Sequence, residues 1–337
     1  MKTTGGNGAR SLAALLGAAL ALLAAGCGGV PAPAESGVPP ATTIRVAALK
    51  GPTGVGMVNL MQAAAAGDTT NDYSFTVLSS PEEVAAKLSS GEVDLAAAPT
   101  NLAAVLHAKT SGGVRMLAAN TLGVLYLLDA GESIRGITDL NGLTIHATGQ
   151  GANPEYVLRF LLQRNGLDPD TDVTLTFVSE NDELATLLAT GKADVAMVPE
   201  PVVTTVVAKR PGLRVALDLT AEWDRLDVDG RLIMGAMIGR TDFIAEHPEA
   251  VDAFLAEYET SIGKATSDLP GTAALCEEFG VIASAAVAEQ AIPRLNLIYL
   301  DGAEMAEAVQ GYFKVLHDAN PTSIGGALPP ATFYYAD

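Results

Sequence analysis

The chain has two cysteines, one tryptophan and four histidines in 337 residues, and its 20 lysines and arginines are outnumbered by 39 aspartates and glutamates. Each scarcity excludes something. Two cysteines cannot staple a disulfide scaffold. The histidines, His107, His146, His247 and His317, stand far apart with no H-x-x-x-H or Cys/His spacing, so no metal site is expected. A formal net charge of −19 repels phosphate backbones, and no basic stripe interrupts it, so nucleic acid is not an expected partner. There is no G-x-S-x-G elbow and no sequence reason to assemble a Ser/His/Asp set, so no catalytic residue is nominated and no cofactor is expected.

Long apolar runs are also scarce. The run Leu12 to Ala25 follows Lys2 and Arg10 and is too short to span a bilayer comfortably, so 1–26 reads as a secretory signal. It ends in Leu23-Ala24-Ala25-Gly26-Cys27, which resembles a bacterial lipobox; the resemblance implies that Cys27 is lipidated and anchors the chain to the cell membrane. With Cys27 so used, Cys276 in TAALCEEFGV has no disulfide partner and reads as a buried, inert thiol. The Pro-, Gly- and Ala-rich stretch over 27–42 reads as a flexible tether, with the folded body starting near Ile44.

What the body does contain is a repeat. Shifted by 100 residues, TVLSSPEEVAAKLSSGEVDLAAAP (76–99) falls without a gap on TFVSENDELATLLATGKADVAMVP (176–199), matching among others Glu83 with Glu183, Gly91 with Gly191, Asp94 with Asp194 and Pro99 with Pro199. The same shift lays Gly51 on Gly151. Each half reads as strand, glycine turn, helix, strand, helix, and a short apolar strand ending at proline. Continuous apolar runs such as VDLAAAP suit strands covered on both faces, and strand and helix in alternation imply parallel-type sheets with crossover helices. The length prior agrees with two α/β domains. Two further strands, LGVLYLLD (122–129) and LIMGAMIGR (232–240), read as the crossings between them. They divide the body into a discontinuous first lobe, 43–122 with 234–337, and a second lobe, 123–233. The first lobe's second piece includes the helical stretches HPEAVDAFLAEYETSIGKA and GAEMAEAVQGYFKVLHDA.

In such sheets ligands sit outside the carboxyl ends of the strands. The loops there are Lys50-Gly51-Pro52-Thr53-Gly54, Pro99-Thr100-Asn101, Gly149-Gln150-Gly151-Ala152-Asn153 and Pro199-Glu200-Pro201, and all four are expected to converge on one cleft. The first lacks the Lys-Ser/Thr of a phosphate loop, and the G-x-G at 149–151 lacks the third glycine of a dinucleotide turn, since Pro154 stands in its place. Glu180, at the end of the next strand, is where a ribose would be held, but an exported chain has no ready supply of nicotinamide cofactor. Both turns are instead expected to offer backbone N–H groups at a helix start to sulfonate, carboxylate or phosphate oxygens. Asn153 is a candidate contact or helix cap, Glu200 a candidate acceptor for a ligand N–H or O–H or a charge at the start of the following helix, and Trp223 a candidate stacking platform or packing residue.

Together, IRVAALKGPTGVGM, GEVDLAAAPTN, NTLGVLYLL, IHATGQGANPEY, ADVAMVPEPVVT and NPTSIGG resemble the solute-binding lipoproteins of ABC importers in the nitrate, taurine and aliphatic-sulfonate group, a superfamily that also holds thiamine-pyrimidine binding proteins. The resemblance implies a type II periplasmic-binding fold that closes on one solute as a monomer and presents it to a permease and its ATPase. Carried over by position, the ligand residues are Lys50 to Gly54, Thr100, Asn101, the hinge residues Asn120 and Thr121, Gly149 to Asn153, and Glu200. The Cys-rich, His-bearing motif of the fungal pyrimidine synthases is missing. Lys50 and the helix starts favour an anionic head group, and Glu200 a solute that also carries a donor, so a small polar organic solute, anionic or heteroaromatic, is expected. Two alternatives stay open: an enzyme on the same fold, as in menaquinone and tetrapyrrole biosynthesis, and a solute receptor for a sensor protein.

Overall fold

A computed structural model describes residues 42–336; the expected signal segment, Cys27 and the expected tether before Thr42 lie outside the described residues. The first repeat half contributes β1 (Thr43–Leu49), α1 (Pro52–Val55), α2 (Val58–Ala66), β2 (Asp72–Leu78), α3 (Pro81–Ser90), β3 (Leu95–Pro99), α4 (Thr100–Lys109) and β4 (Val114–Leu122). The second contributes β5 (Leu125–Asp129), β6 (Thr144–Ala147), α5 (Asn153–Arg164), β7 (Thr174–Phe177), α6 (Asn181–Ala189), β8 (Val195–Pro199), α7 (Val202–Lys209), β9 (Arg214–Asp218) and α8 (Leu219–Asp224). The chain closes with β10 (Ile233–Arg240), α9 (Thr241–Glu246), α10 (Pro248–Ser267), α11 (Leu269–Glu278), α12 (Ala285–Ala291), β11 (Leu297–Asp301) and α13 (Gly302–Ala319).

Two sheets result, ordered β11-β4-β10-β3-β1-β2 and β7-β6-β8-β5-β9. Read from its other end, the second sheet is β9-β5-β8-β6-β7, which matches β4-β10-β3-β1-β2 place for place. The repeat seen in 24 residues of sequence therefore extends to the topology of five strands. In each sheet the repeat strands run parallel, β1 with β2 and β3, and β6 with β7 and β8. The strand that follows a crossing runs antiparallel to its neighbours, β10 between β3 and β4 and β5 between β8 and β9. The sheets are thus mixed rather than wholly parallel. A crossing strand arrives from the other sheet instead of through its own crossover helix, so nothing forces it into the parallel direction.

Local chemistry explains the elements. Four of the five residues of β3 (LAAAP) and β8 (VAMVP) are buried, as strands covered by helices on both faces must be. α3 opens with a reciprocal cap, Ser80 accepting from the Glu83 amide while Glu83 accepts from Ser80, followed by Pro81 where a missing N–H costs nothing. The matched aspartates anchor the amino ends of the two equivalent strands. Asp94 accepts from the Arg45 amide at 3.0 Å and from its guanidinium at 2.9 and 2.5 Å, and Asp194 from Arg210 at 2.8 Å. Both lie at the sheet ends remote from the predicted ligand loops.

One apolar cluster runs through both sheets, joining Ala98 and Met116 to Leu127, Ile145 and Met197 through Met305, Val309, Tyr312 and Leu316 of α13. Each such side chain contributes about 1.5–3 kcal/mol when buried, so α13 is a shared wall of the fold. Among the described residues no helix is long and apolar enough to cross a membrane.

Candidate functional site

A cavity of about 490 Å³ lies at the carboxyl ends of β1, β3 and β6, between residues of the two sheets. Lys50, Pro52 and Thr53 line it from the first glycine turn, Asn101 and Leu102 from the start of α4, Thr121 and Val124 from the crossing, and Gly149, Ala152, Asn153 and Pro154 from the second turn. Pro81 and Glu82 at the start of α3, and Met234 on β10, complete the wall. The lining is mostly apolar. Lys50 is exposed within it and makes no ion pair among the described residues.

The first turn is held tight by backbone bonds. Lys50 N–H donates to the Leu78 carbonyl at 2.9 Å and Gly51 N–H to the Val281 carbonyl at 3.0 Å. A side chain at Gly54 would lie 2.1 Å from the Leu49 carbonyl oxygen, so only glycine lets the turn fold back on β1. The Gly51 amide is therefore spent, contrary to expectation, and Gly54 supports the turn from below. Asn120, expected at the ligand, is also support: its amide donates to the Tyr258 hydroxyl at 3.0 Å and it accepts from Thr121 Oγ1 at 3.0 Å, beneath Thr53 and Thr121. Burial holds the Tyr258 hydroxyl well above its usual pKa, so it stays protonated in this contact. Thr100 is wholly buried behind Pro99 and Asn101, and its hydroxyl has no partner among the described residues.

The second turn repeats this economy. Gly151 adopts φ 71°, a left-handed conformation that a side chain would strain, and its N–H donates to Glu155 Oε2 at 2.6 Å. Its carbonyl accepts from the Tyr156 hydroxyl at 2.8 Å. Glu155 in turn accepts from Arg159 at 2.6 Å. Gly151 and Gln150 lie outside the lining, so the amide expected to bind the ligand instead braces the turn. Asn153 does line the cavity and is not the helix cap, which is Ala152. It is only 7% exposed, and its Oδ1 has no partner among the described residues.

The fourth predicted loop is not in the lining. The Glu200 side chain is fully buried, accepting from the Thr204 amide at 3.2 Å, from Thr204 Oγ1 at 2.9 Å and from Arg294 Nε. Its carboxylate fills the start of α7, as a fixed anion at a helix N-terminus, with both oxygens engaged. Trp223 is likewise removed from the site: it packs 4.8 Å from the Phe160 ring and 6.0 Å from that of Tyr312 in the shared core. Pro81 and Glu82 were missed in the sequence, although β2 also ends at this edge and the strand-end rule points to its loop as much as to the others.

Chemically, the cavity joins one free ammonium to the starts of α3, α4 and α5. Each of these helices carries a partial positive charge at that end, worth about 0.3–1 kcal/mol to a nearby anion. Glu82 at the start of α3 and Glu155 at the start of α5 offset part of this. The apolar prolines, Leu102 and Met234 suit a carbon body rather than a bare inorganic ion.

A family model described as NMT1/THI5 like matches residues 76–270, more than half of the chain. The chain belongs to the NMT1/THI5-like family. No curated protein matches it in sequence. Among solved structures, this family member is similar to an ABC transporter from Parabacteroides distasonis, at 23% identity and a TM-score of 0.73, covering 87% of this chain and 99% of that one. The periplasmic aliphatic sulphonate binding protein SsuA from Escherichia coli follows the same course at 15% identity and a TM-score of 0.68, over 87% of this chain and 92% of its own. The periplasmic nitrate-binding protein NrtA from Synechocystis PCC 6803 does so at 15% identity and a TM-score of 0.54, over 79% and 74%. These likenesses establish the two-lobed fold of periplasmic binding proteins.

Proposed function

We propose that the protein is the extracytoplasmic solute-binding component of an ABC uptake system, holding a small organic anion with an apolar body between two lobes and delivering it to a permease without chemical change. The observation that carries this reading is the cavity itself, placed between two sheets of matching strand order and holding the unpaired Lys50 beside the starts of α4 and α5. The folds it resembles belong to proteins named for binding aliphatic sulfonate and nitrate, which supports the class of cargo. Because Glu200 is occupied by Arg294, it no longer selects for a solute with a donor group. The lobes are taken as 43–122 with 234–337, and 123–233. The contacts are assigned to Lys50, Pro52, Thr53, Asn101, Thr121, Ala152 and Asn153.

The test is a thermal-shift panel on ligand-free protein, with alkane and aryl sulfonates, taurine, aromatic carboxylates, aminopyrimidines and nitrate. A solute at about 100 times its Kd adds roughly 2.7 kcal/mol and moves the midpoint by several degrees. The expected result is a shift from sulfonates or carboxylates with an apolar body, and recovery of the solute unchanged. Shifts from aminopyrimidines alone would replace the anion reading. Anchoring through lipid on Cys27 is part of the same proposal; labelled fatty acid should enter the wild-type chain and not Cys27→Ser.

A further inference from the structure

The segment after α13, NPTSIGG, carries a resemblance but no role in the cavity. It forms a short 3-10 turn, Pro321–Ile324, capped by Asn320 Oδ1, which accepts from the Thr322 amide at 3.1 Å and its hydroxyl at 2.8 Å. One side of this turn is seated on α4. Ile324 is fully buried, and a side chain at Gly325 would come within 2.6 Å of Ala108 Cβ. Asn101, which lines the cavity from the first turn of α4, donates to the Ser323 carbonyl at 3.4 Å. The other side reaches the opposite sheet: Asn320 Nδ2 donates to the Tyr156 hydroxyl at 2.8 Å, and that hydroxyl donates to the Gly151 carbonyl at 2.8 Å.

One short segment therefore touches the start of α4 directly and the second glycine turn through Tyr156, the two places where the halves of the site are built. We infer that this segment is a strap that sets the spacing between them, and that Asn320 is a positioning residue for the solute, acting through Tyr156 on Gly151. The chain of bonds has a direction. Asn320 supplies the donor that leaves the Tyr156 proton free to point at Gly151, so the turn carrying Ala152 and Asn153 is held from the carbonyl side while Glu155 holds it from the amide side. A bond to each of the two peptides that meet at Gly151 leaves the turn little freedom, and the cavity wall keeps its shape before any solute arrives.

Asn320→Asp separates this role from the cap. An aspartate keeps acceptors for Thr322 but has no donor for Tyr156, whose proton it draws away from Gly151. Tyr156→Phe removes the relay while leaving the cap untouched. The experiment is hydrogen exchange on the intact chain, read at the amides of Gly151 and Ala152 and, as reference, at the first turn over 50–57. Both variants are expected to exchange about tenfold faster at the second turn and unchanged at the first. Unchanged exchange at Gly151 and Ala152, or equal acceleration throughout the chain, would overturn the strap.

The positioning role rests on the solute site proposed above, and its probe is hexanesulfonate. Both variants should bind it about tenfold more weakly than wild type, with the thermal midpoint of the ligand-free Asn320→Asp protein little moved. Faster exchange with undiminished affinity would refute positioning. If wild type itself ignores hexanesulfonate, the cargo class is wrong, and the exchange data alone decide whether the strap exists.

Discussion

α4 and α7 follow equivalent strands in the two repeat halves, each a buried strand ending in proline, yet one helix start is open and the other is filled. At α7 the chain supplies its own anion: Glu200 accepts from Thr204 and from Arg294, which is 36% exposed on a segment leading into β11 of the opposite sheet. At α4 the equivalent positions are Thr100 and Ala104, the hydroxyl of Thr100 has no partner among the described residues, and Asn101 and Leu102 face the cavity. A helix start is a generic anion site until something occupies it. In this protein the duplicated architecture presents two such starts, and one internal carboxylate decides which remains open to the cavity.

The sharpest way to break that comparison is to empty the filled site. Glu200→Ala leaves Arg294 and the start of α7 without their anion, and should lower unfolding free energy by about 3 kcal/mol in urea titrations, with solute affinity little changed. A loss of affinity without loss of stability would return Glu200 to the ligand. Next in size is Lys50→Met, which removes the one cation that lines the open site among the described residues. Calorimetry should show anion binding weakened by about 1.5–3 kcal/mol at low salt, and by less in 0.5 M salt, because Lys50 is exposed and screened. Equal affinities at low salt would exclude Lys50 from the site.

Thr100→Val sharpens the contrast from the other side. Exchanging an unpartnered buried hydroxyl for a methyl should stabilise the fold by up to about 1 kcal/mol and leave binding alone. Weaker binding would mean that the hydroxyl reaches the solute. The smallest effect is expected at Cys276, which packs with Val55 and Val58 beneath the first turn. Burial pushes its thiol up to about 12, so almost none is thiolate at pH 8 and alkylation should be negligible in the native protein. Rapid modification without denaturant would show that the floor of the open site comes apart.

Much of this molecule was legible in one dimension, and the reasons are specific. VDLAAAP and ADVAMVP announce buried strands because a strand covered on both faces has no place for a polar residue, and the hundred-residue shift identifies the duplication because both copies meet that same demand. Lys50, Pro52, Thr53, Asn101, Ala152 and Asn153 follow from those strands by position alone, since loops at their carboxyl ends have to meet. The partners of polar groups do not follow. That Gly51 bonds to Val281, Gly151 to Glu155 and Tyr156, Asn120 to Tyr258, and Glu200 to Arg294 depends on where segments up to 230 residues apart come to rest. Trp223 shows the same limit, because an amphipathic ring is equally suited to a rim and to a core until Phe160 and Tyr312 are in place around it.

The sequence by itself thus determined the strands, the duplication and the edge of the sheets where the loops converge, all of which rest on patterns local to a few dozen residues. Only the tertiary structure decided which amides were already engaged, that α13 and the strap after it are shared by both halves, and that one of two equivalent helix starts was closed from within. Hydrogen bonds and ion pairs are short-ranged, and in a chain whose C-terminal segments return to both sheets, their partners are fixed by packing and not by order along the chain.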